Sequence, residues 1–226
     1  MRSVEGVMWW QWCGRICDGA FVEWDIDLVM PEWLRPPAEG YTAEDLDRLL
    51  DLPPHTELLC GSLVFSARQT LFHSEMVRRL DRQLGDQVPD MWEVWCRMGL
   101  RLDTRNRPEP DVMVVDSRAC AGPDQTFWAP QDVLLVAEVV EEASAEWDRD
   151  VKPRKYADAG IRHFWRIELE HGQPVAHTYE LDAASGGYVQ SGTFRQRLTV
   201  RHPFLLDVTL SRPDAGREVS APGTRE

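Results

Sequence analysis

Lysine is nearly absent from this 226-residue chain: Lys152 and Lys155 are the two lysines among its 25 basic residues, and the other 23 are arginines. Positive charge is also scarce, because 38 acidic residues give a formal net charge of −13 at pH 7. This charge argues against a protein that coats nucleic acid by bulk attraction, since affinity for phosphates depends on basic side chains. The two lysines lie within four residues of each other, which base composition alone does not explain.

Long hydrophobic runs are missing as well. No stretch approaches the roughly 20 consecutive apolar residues that cross a bilayer, and no signal peptide is recognisable near the start of the sequence. The five cysteines are an odd number without paired framework spacing, which suits a reducing compartment. We therefore expect a cytoplasmic protein that does not enter a membrane.

The length suits one domain with a full hydrophobic core rather than two domains. A patch rich in proline and glycine at residues 35–40 separates the N-terminal segment from a more regular body. We expect residues 1–39 to be a poorly ordered extension, residues 40–210 to form the domain, and residues 211–226 to be a flexible tail.

Hydrophobic periodicity predicts a mixture of helices and strands. Thr42 and the acids after it predict a short helix to about Asp51, and residues 57–65 predict a β-hairpin that turns at Gly61. Apolar residues at helical spacing predict an amphipathic helix that ends near Gly85. Strands are expected at residues 92–102, 111–115, 133–140 and 163–167, with a helix at 150–159 and further meander strands up to residue 208. This order favours a mixed α/β sheet with flanking helices.

Two carboxylates belong to the most apolar of these strands. Asp111 follows a proline at the start of one strand, and Glu138 lies inside the apolar run of the other. An unpaired buried charge is costly, so Glu138 needs a partner. A Mg²⁺ ion shared with Asp111 would supply one, because this cation binds a few carboxylates and keeps several waters. Two other interpretations stay open: Asp111 could cap a turn, and Glu138 could pair with an arginine such as Arg97 or Arg101.

The lysine pair begins the predicted helix after the Glu138 strand. A lysine there could stabilise negative charge on a phosphate, or could orient an attacking water and help to deprotonate it. Arginine would be a poorer proton acceptor, because its pKa is out of reach whereas that of lysine can be depressed. Lys155 could instead be a solvated helix residue.

Three acids and a histidine complete the candidates. Asp148 and Asp150 could be helix-start residues that the helix dipole favours, and for Asp148 this is the better interpretation. Glu57, at the start of the hairpin, is a weaker candidate for a metal ligand. His73, on the amphipathic helix, is either an accessory residue of the site or an ordinary histidine whose hydrogen bonds are satisfied elsewhere.

With these residues assembled, the chain resembles the Uma-two family of restriction endonuclease-like proteins, within the PD-(D/E)xK nuclease superfamily. The likeness covers about residues 40–208, and its most specific part is DRDVKPRKYADAGI at 148–161. Shorter matching segments are GYTAEDL at 40–46, EL at 57–58, GSL at 61–63, His73, PEPDV at 108–112, EVV at 138–140 and FW at 164–165.

The resemblance implies a restriction-endonuclease-like fold: a mixed β-sheet flanked by helices, with an N-terminal helix and hairpin. It implies that Asp111 and Glu138 are metal ligands and that Glu57 is an additional acid near the metal. The lysine of the superfamily usually stands two residues after the glutamate, where this chain has Val140. Lys152 would then be the relocated catalytic lysine.

The expected function is Mg²⁺-dependent hydrolysis of phosphodiester bonds in DNA, with Mn²⁺ as a substitute cation. A homodimer is expected, because cutting both strands is easiest with two sites. Local phosphate contacts would come from a cleft lined by Arg78, Arg79, Arg97, Arg101, Arg105 and Arg107. The alternatives are a non-catalytic nucleic-acid or protein-interaction domain that keeps the nuclease fold, and a structural core with buried ion pairs.

Overall fold

Two of the predicted apolar runs become adjacent strands in the middle of a six-stranded sheet. The structure is a computed structural model that describes residues 35–49, 51–66 and 68–211. Most of the predicted N-terminal extension and all but the first residue of the predicted tail lie outside the described residues. Among the helices that the structure describes, none is long and apolar enough to cross a membrane.

The regular elements follow the predicted order of helix, hairpin, helix, strands, helix and strands. The helices are α1 (Asp45–Arg48), α2 (Leu71–Gly85) and α3 (Lys152–Asp158). The strands are β1 (Thr56–Leu59), β2 (Ser62–Phe65), β3 (Trp92–Trp95), β4 (Gly99–Leu100), β5 (Val112–Asp116), β6 (Phe127–Trp128), β7 (Val133–Val139), β8 (His163–Glu170), β9 (Gln173–Leu181), β10 (Tyr188–Arg195), β11 (Arg197–Val200) and β12 (Leu206–Thr209).

The main sheet has the order β10-β9-β8-β7-β5-β3. Its neighbouring strands are antiparallel, except that β7 and β8 run parallel and are joined by the segment that contains α3. A parallel pair needs such a crossover, because its connection must return to the same edge of the sheet. The mixed sheet with flanking helices is the fold class expected from the sequence.

Both faces of the central strands are buried, because helices cover the sheet from two sides. On one face α2 packs against alternate residues of β5, β7 and β8, and the β11–β12 hairpin joins this cluster. On the other face Tyr156 of α3 packs with Met113, Val136 and Phe164. A polar residue in the middle of β7 is therefore enclosed by protein.

The hairpin of β1 and β2 is anchored to the segment before β5. Leu58 and Arg107 exchange two backbone hydrogen bonds, of 3.0 and 2.7 Å. The turn requires glycine at position 61, where φ is +77° and where an added Cβ would also clash with the side chain of Arg105. This anchoring places β1, and with it Glu57, beside the main sheet.

Three predicted elements differ in extent from the observed ones. The first helix does not reach Asp51 but covers the four residues of α1; Thr42 uses its backbone N–H and its hydroxyl to bind the Asp45 carboxylate, at 2.7 and 2.9 Å. The predicted helix at 150–159 begins at Lys152, after a π-helical turn at Trp147–Val151. Pro153 lies in the first turn of α3, where its missing N–H costs nothing.

The predicted strand at 92–102 is interrupted at Arg97. This residue has a left-handed φ of +52°, and its backbone N–H donates to the carbonyl of Pro110 at 3.1 Å. The chain therefore leaves the sheet after β3, and β4 pairs instead with β6. Periodicity missed the break because its cause is a contact with a distant segment.

Candidate active site

The ammonium of Lys152 lies among three buried carboxylates. Its Nζ is 3.0 Å from Glu57 Oε1, 3.1 Å from Asp148 Oδ1 and 3.3 Å from Glu138 Oε1. Each of these four side chains is at most 6% exposed. We call Glu57, Glu138, Asp148 and Lys152 the buried cluster.

Three separate parts of the fold supply this cluster. Glu138 comes from β7, Glu57 comes from β1, and Asp148 comes from the π-helical turn that precedes α3. Lys152 begins α3 four residues after Asp148, a spacing that puts two side chains on one face of a helix. The cluster therefore forms where the hairpin and the crossover meet the central strand.

Tyr156 extends this helix face by one more turn. Its phenol donates a hydrogen bond of 2.5 Å to Glu138 Oε1, the same oxygen that Lys152 approaches. The phenol is fully buried. Glu138 is thus held in one orientation by two residues of α3.

Asp111 lies beside the cluster with a separate set of partners. It precedes β5, whose Val112 pairs with Ala137, so Asp111 is next to Glu138 across the two strands. Its Oδ2 accepts from the backbone N–H of Val139 at 2.8 Å, and its Oδ1 lies 3.0 Å from His73 Nε2.

The imidazole of His73 is buried together with the Asp111 carboxylate that it contacts. Its Nδ1 is also buried and has no hydrogen-bond partner among the described residues. A buried N–H without an acceptor is costly. The tautomer with its hydrogen on Nε2 avoids this cost and donates to Asp111.

Burial and mutual repulsion shift the pKa values of the cluster. Burial raises the pKa of Glu138 well above its ordinary value, and the charges of Asp148, Asp111 and Glu57 raise it further. Burial also raises the pKa values of Glu57 and Asp148, against the opposing effect of Lys152. The cluster holds more acid than one ammonium neutralises.

Lys152 itself is charged in this environment. Burial favours the neutral amine, but the carboxylates of Asp148, Glu138 and Glu57 outweigh it and raise the pKa of Lys152 well above its ordinary value. Of the two roles expected for this lysine, the arrangement favours charge stabilisation over proton abstraction.

The donor set suits a hard divalent cation, because carboxylate oxygens are the preferred ligands of Mg²⁺ and the cluster has excess negative charge. In the ranges that the structure describes, no three Asp, Glu, His or Cys side chains converge on one metal position. The Lys152 ammonium instead occupies the space between three carboxylates. The carboxylates are therefore chemically suitable ligands for a divalent cation. The chain already places one positive charge among them, the Lys152 ammonium.

The structure brings most of the predicted site residues together. Glu57, Glu138 and Lys152 meet directly, and Asp111 lies next to them with His73 as its partner. The partners of Glu138 among the described residues are Lys152 and Tyr156, whereas Arg101 pairs with Glu44, so the pairing of Glu138 with Arg101 does not occur. Lys155 makes none of the described contacts of the cluster.

Two members of the site were missed. The sequence indicates a helix-start acid at Asp148, yet its side chain is 3% exposed and contacts Lys152 and the Ser144 hydroxyl. No role is predicted for Tyr156 from the sequence. The spacing of residues 148, 152 and 156, four apart on each side, places them on one helix face and could have identified both.

Several of the predicted arginines face other partners rather than one open cleft. Arg107 has a buried side chain that donates to Asp47 at 2.9 Å, and Arg79 donates to Glu75 at 2.6 Å. Arg105 donates to the backbone carbonyl of Glu39. Arg97 is the exception, because its Nε lies 3.9 Å from Asp111 Oδ1.

Comparison with known proteins agrees with the resemblance seen in the sequence. The model of the Uma2 family, described as "Putative restriction endonuclease", matches residues 43–212. No significant match was found among curated proteins.

The fold is similar to that of a solved structure. A crystal structure described as a "putative nuclease belonging to DUF820", from Anabaena variabilis, has a TM-score of 0.56 and 11% sequence identity, over 73% of this chain and 90% of that chain. At this identity the likeness shows the fold alone. NucC of P. aeruginosa, in its cAAA-bound form, has a TM-score of 0.30 and 10% identity, over 55% of this chain and 85% of that chain, which is too low to support an argument.

Proposed function

The chain belongs to the Uma2 family of restriction endonuclease-like proteins, and we propose that it is a metal-dependent endonuclease that hydrolyses phosphodiester bonds in DNA. The observation that supports this function most is the buried cluster beside Asp111. Four carboxylates and a charged lysine are concentrated where the hairpin and crossover meet the central sheet. Such a concentration of buried charge is costly for stability alone, so it points to chemistry.

Asp111 and Glu138 are the residues that would hold Mg²⁺, or Mn²⁺ in its place. When bound, the cation supplies Lewis-acid stabilisation of the phosphate and lowers the pKa of a bound water. His73 orients Asp111 through Oδ1, and Tyr156 orients Glu138 through Oε1. These second contacts hold the two carboxylates in fixed positions, which is what a metal site requires of its surroundings.

Lys152 supplies a fixed positive charge at the site. Because Glu57 and Asp148 keep it protonated, it stabilises the negative charge that develops on the phosphate as the P–O bond breaks. Glu57 is therefore proposed as a residue that holds Lys152 in place, in addition to its expected role as an acid near the metal.

Nicking of supercoiled plasmid tests the proposal. We expect wild-type protein to nick the plasmid with Mg²⁺ or Mn²⁺ and not with EDTA. Glu138→Gln and Asp111→Asn should abolish nicking, because each removes a charged oxygen ligand with little change in shape. Asp150→Asn is the matched control, since Asp150 is exposed and pairs with Arg154 outside the cluster. Nicking that persists in EDTA or in Glu138→Gln would contradict the mechanism.

One observation favours a second candidate, a nucleic-acid or protein-binding domain without catalysis. The Lys152 ammonium already neutralises part of the cluster, as it would in a fold that has lost its metal. Thermal unfolding with and without Mg²⁺ distinguishes the two functions. A Tm that rises with Mg²⁺ in wild type but not in Asp111→Asn supports the metal site. Binding of DNA with neither nicking nor a Tm rise in any metal supports the binding domain.

A further inference from the structure

Arg97 lies at the edge of the buried cluster, on the side of Asp111. Its side chain is 25% exposed, whereas that of Lys152 is 6% exposed. A group that arrives from solvent therefore meets Arg97 first, while Lys152 lies deeper among the carboxylates. Of the two cations, Arg97 is the more accessible to an arriving substrate.

The guanidinium of Arg97 has hydrogen-bond donors to spare. Its Nε is 3.9 Å from Asp111 Oδ1, which is too long for a hydrogen bond. Both oxygens of Asp111 already have closer partners, His73 Nε2 at 3.0 Å and Val139 N at 2.8 Å. Within the described residues, the Arg97 guanidinium donates no hydrogen bond. An arginine fork of five N–H donors matches the oxygens of a phosphate.

Four of the other five arginines expected at the site are engaged elsewhere, and the fifth, Arg78, is exposed on α2 and makes no described contact with Asp111. Arg101 pairs with Glu44, Arg107 pairs with Asp47, and Arg79 pairs with Glu75. Two of these ion pairs involve residues at α1, and the third lies within α2. Arg97 alone of this set approaches Asp111.

The backbone fixes Arg97 relative to Asp111. Arg97 has a φ of +52°, an uncommon conformation for a large side chain, and its N–H donates to the carbonyl of Pro110 at 3.1 Å. Pro110 is the residue directly before Asp111. Left-handed non-glycine residues concentrate at functional sites, where a side chain has to be aimed.

A phosphodiester anion needs positive charge on its path to this site, because the nearby carboxylates repel it. We propose that Arg97 binds a non-bridging phosphate oxygen of the nucleic-acid substrate next to Asp111, as a phosphate-binding residue of the reaction. This inference rests on the nuclease function proposed above. Of the six arginines that the sequence indicates as phosphate contacts, it assigns this contact to Arg97.

Salt-dependent DNA binding tests this role directly. Fluorescence anisotropy with a labelled DNA duplex, without divalent metal, gives the slope of log K against log salt concentration. Arg97→Gln should reduce the magnitude of this slope by about 1, because one phosphate contact is lost. It should also raise KM for Mg²⁺-dependent cleavage. Arg97→Lys keeps the charge and should restore most of the slope.

Arg118→Gln is the matched control. Arg118 is an exposed arginine paired with Asp116, at the opposite end of β5 from Asp111. We expect its slope and KM to equal those of wild type. The Mg²⁺-induced rise in Tm should persist in Arg97→Gln, since the metal carboxylates are intact.

Each remaining outcome overturns the inference. A slope and KM unchanged in Arg97→Gln would show that Arg97 contacts no phosphate, while the nuclease function stands. Lost cleavage with an unchanged slope and a lost Tm rise would assign Arg97 to the support of Asp111. Wild-type protein that neither binds nor cleaves DNA would overturn the proposed function, and this inference with it.

Discussion

Tyr156 and Glu138 share a hydrogen bond of 2.5 Å in the interior of the protein, with the phenol as the donor. Both residues are at most 1% exposed. Burial raises the pKa of the Tyr156 phenol well above its ordinary value, and the nearby Glu138 charge raises it further, so the phenol keeps its hydrogen. The orientation of the central carboxylate therefore depends on a residue one helical turn from Lys152.

Removing this phenol should weaken the protein and its activity together. Tyr156→Phe leaves Glu138 without its O–H donor, and we expect a loss of about 1–3 kcal/mol in the free energy of unfolding in urea. Metal-dependent nicking should fall as well, because Glu138 is no longer held in one orientation. Tyr188→Phe is the control: its phenol donates to the Ile161 carbonyl, away from the cluster. Equal loss of nicking in both variants would contradict this role of Tyr156.

The two lysines should differ sharply in their effect on stability. Lys152→Met leaves three buried carboxylates without a cation, and we expect the variant to lose about 3–5 kcal/mol in the free energy of unfolding. Lys155→Met should change stability little. If Lys152→Met fails to fold, the double variant with Glu57→Gln removes one carboxylate and should recover folded protein, as circular dichroism would show. Similar stabilities for both single variants would exclude an ionised cluster.

Cys96 should resist alkylation at ordinary pH. Burial, together with the neighbouring Asp81, raises the pKa of its thiol to about 12. The thiolate is the reactive form, so the alkylation rate should rise about tenfold for each pH unit up to that value. Peptide mass spectrometry after iodoacetamide treatment at pH 8 should show modified Cys120, which is exposed, and unmodified Cys96. Early modification of Cys96 in native protein would show that it is accessible and ionised.

Arg107 should stabilise the packing of the segment around α1 against the rest of the fold. Its guanidinium donates to Asp47 at 2.9 Å and to the carbonyls of Ala43 and Thr126, and it lies 4.9 Å from the centre of the Phe127 ring. Arg107→Ala should cost about 2–4 kcal/mol in urea unfolding, because it leaves these acceptors unpaired. Arg118→Ala removes an exposed arginine and should have little effect. Equal urea midpoints for Arg107→Ala and Arg118→Ala would show that Arg107 does not anchor this segment.

Elements that depend on local pattern were predictable from the sequence. The amphipathic helix α2, the hairpin around Gly61 and the apolar runs of β5 and β7 all follow from the spacing of apolar residues and from turn chemistry. Glu138 was identified for the same reason, because an acid inside an apolar run must find a partner. The resemblance carried by residues 148–161 indicates the family from the sequence alone.

Contacts between distant segments determine the features that local sequence pattern does not predict. The break at Arg97 depends on the Pro110 carbonyl, and the place of Lys152 depends on Glu57, nearly a hundred residues earlier. The charge of Asp148 suits a helix start, yet the crossover turns its side chain into the cluster. The sequence by itself determined which residues carry charge into an apolar core; the tertiary structure decided which charges meet, because pairing depends on long-range packing that no local spacing encodes.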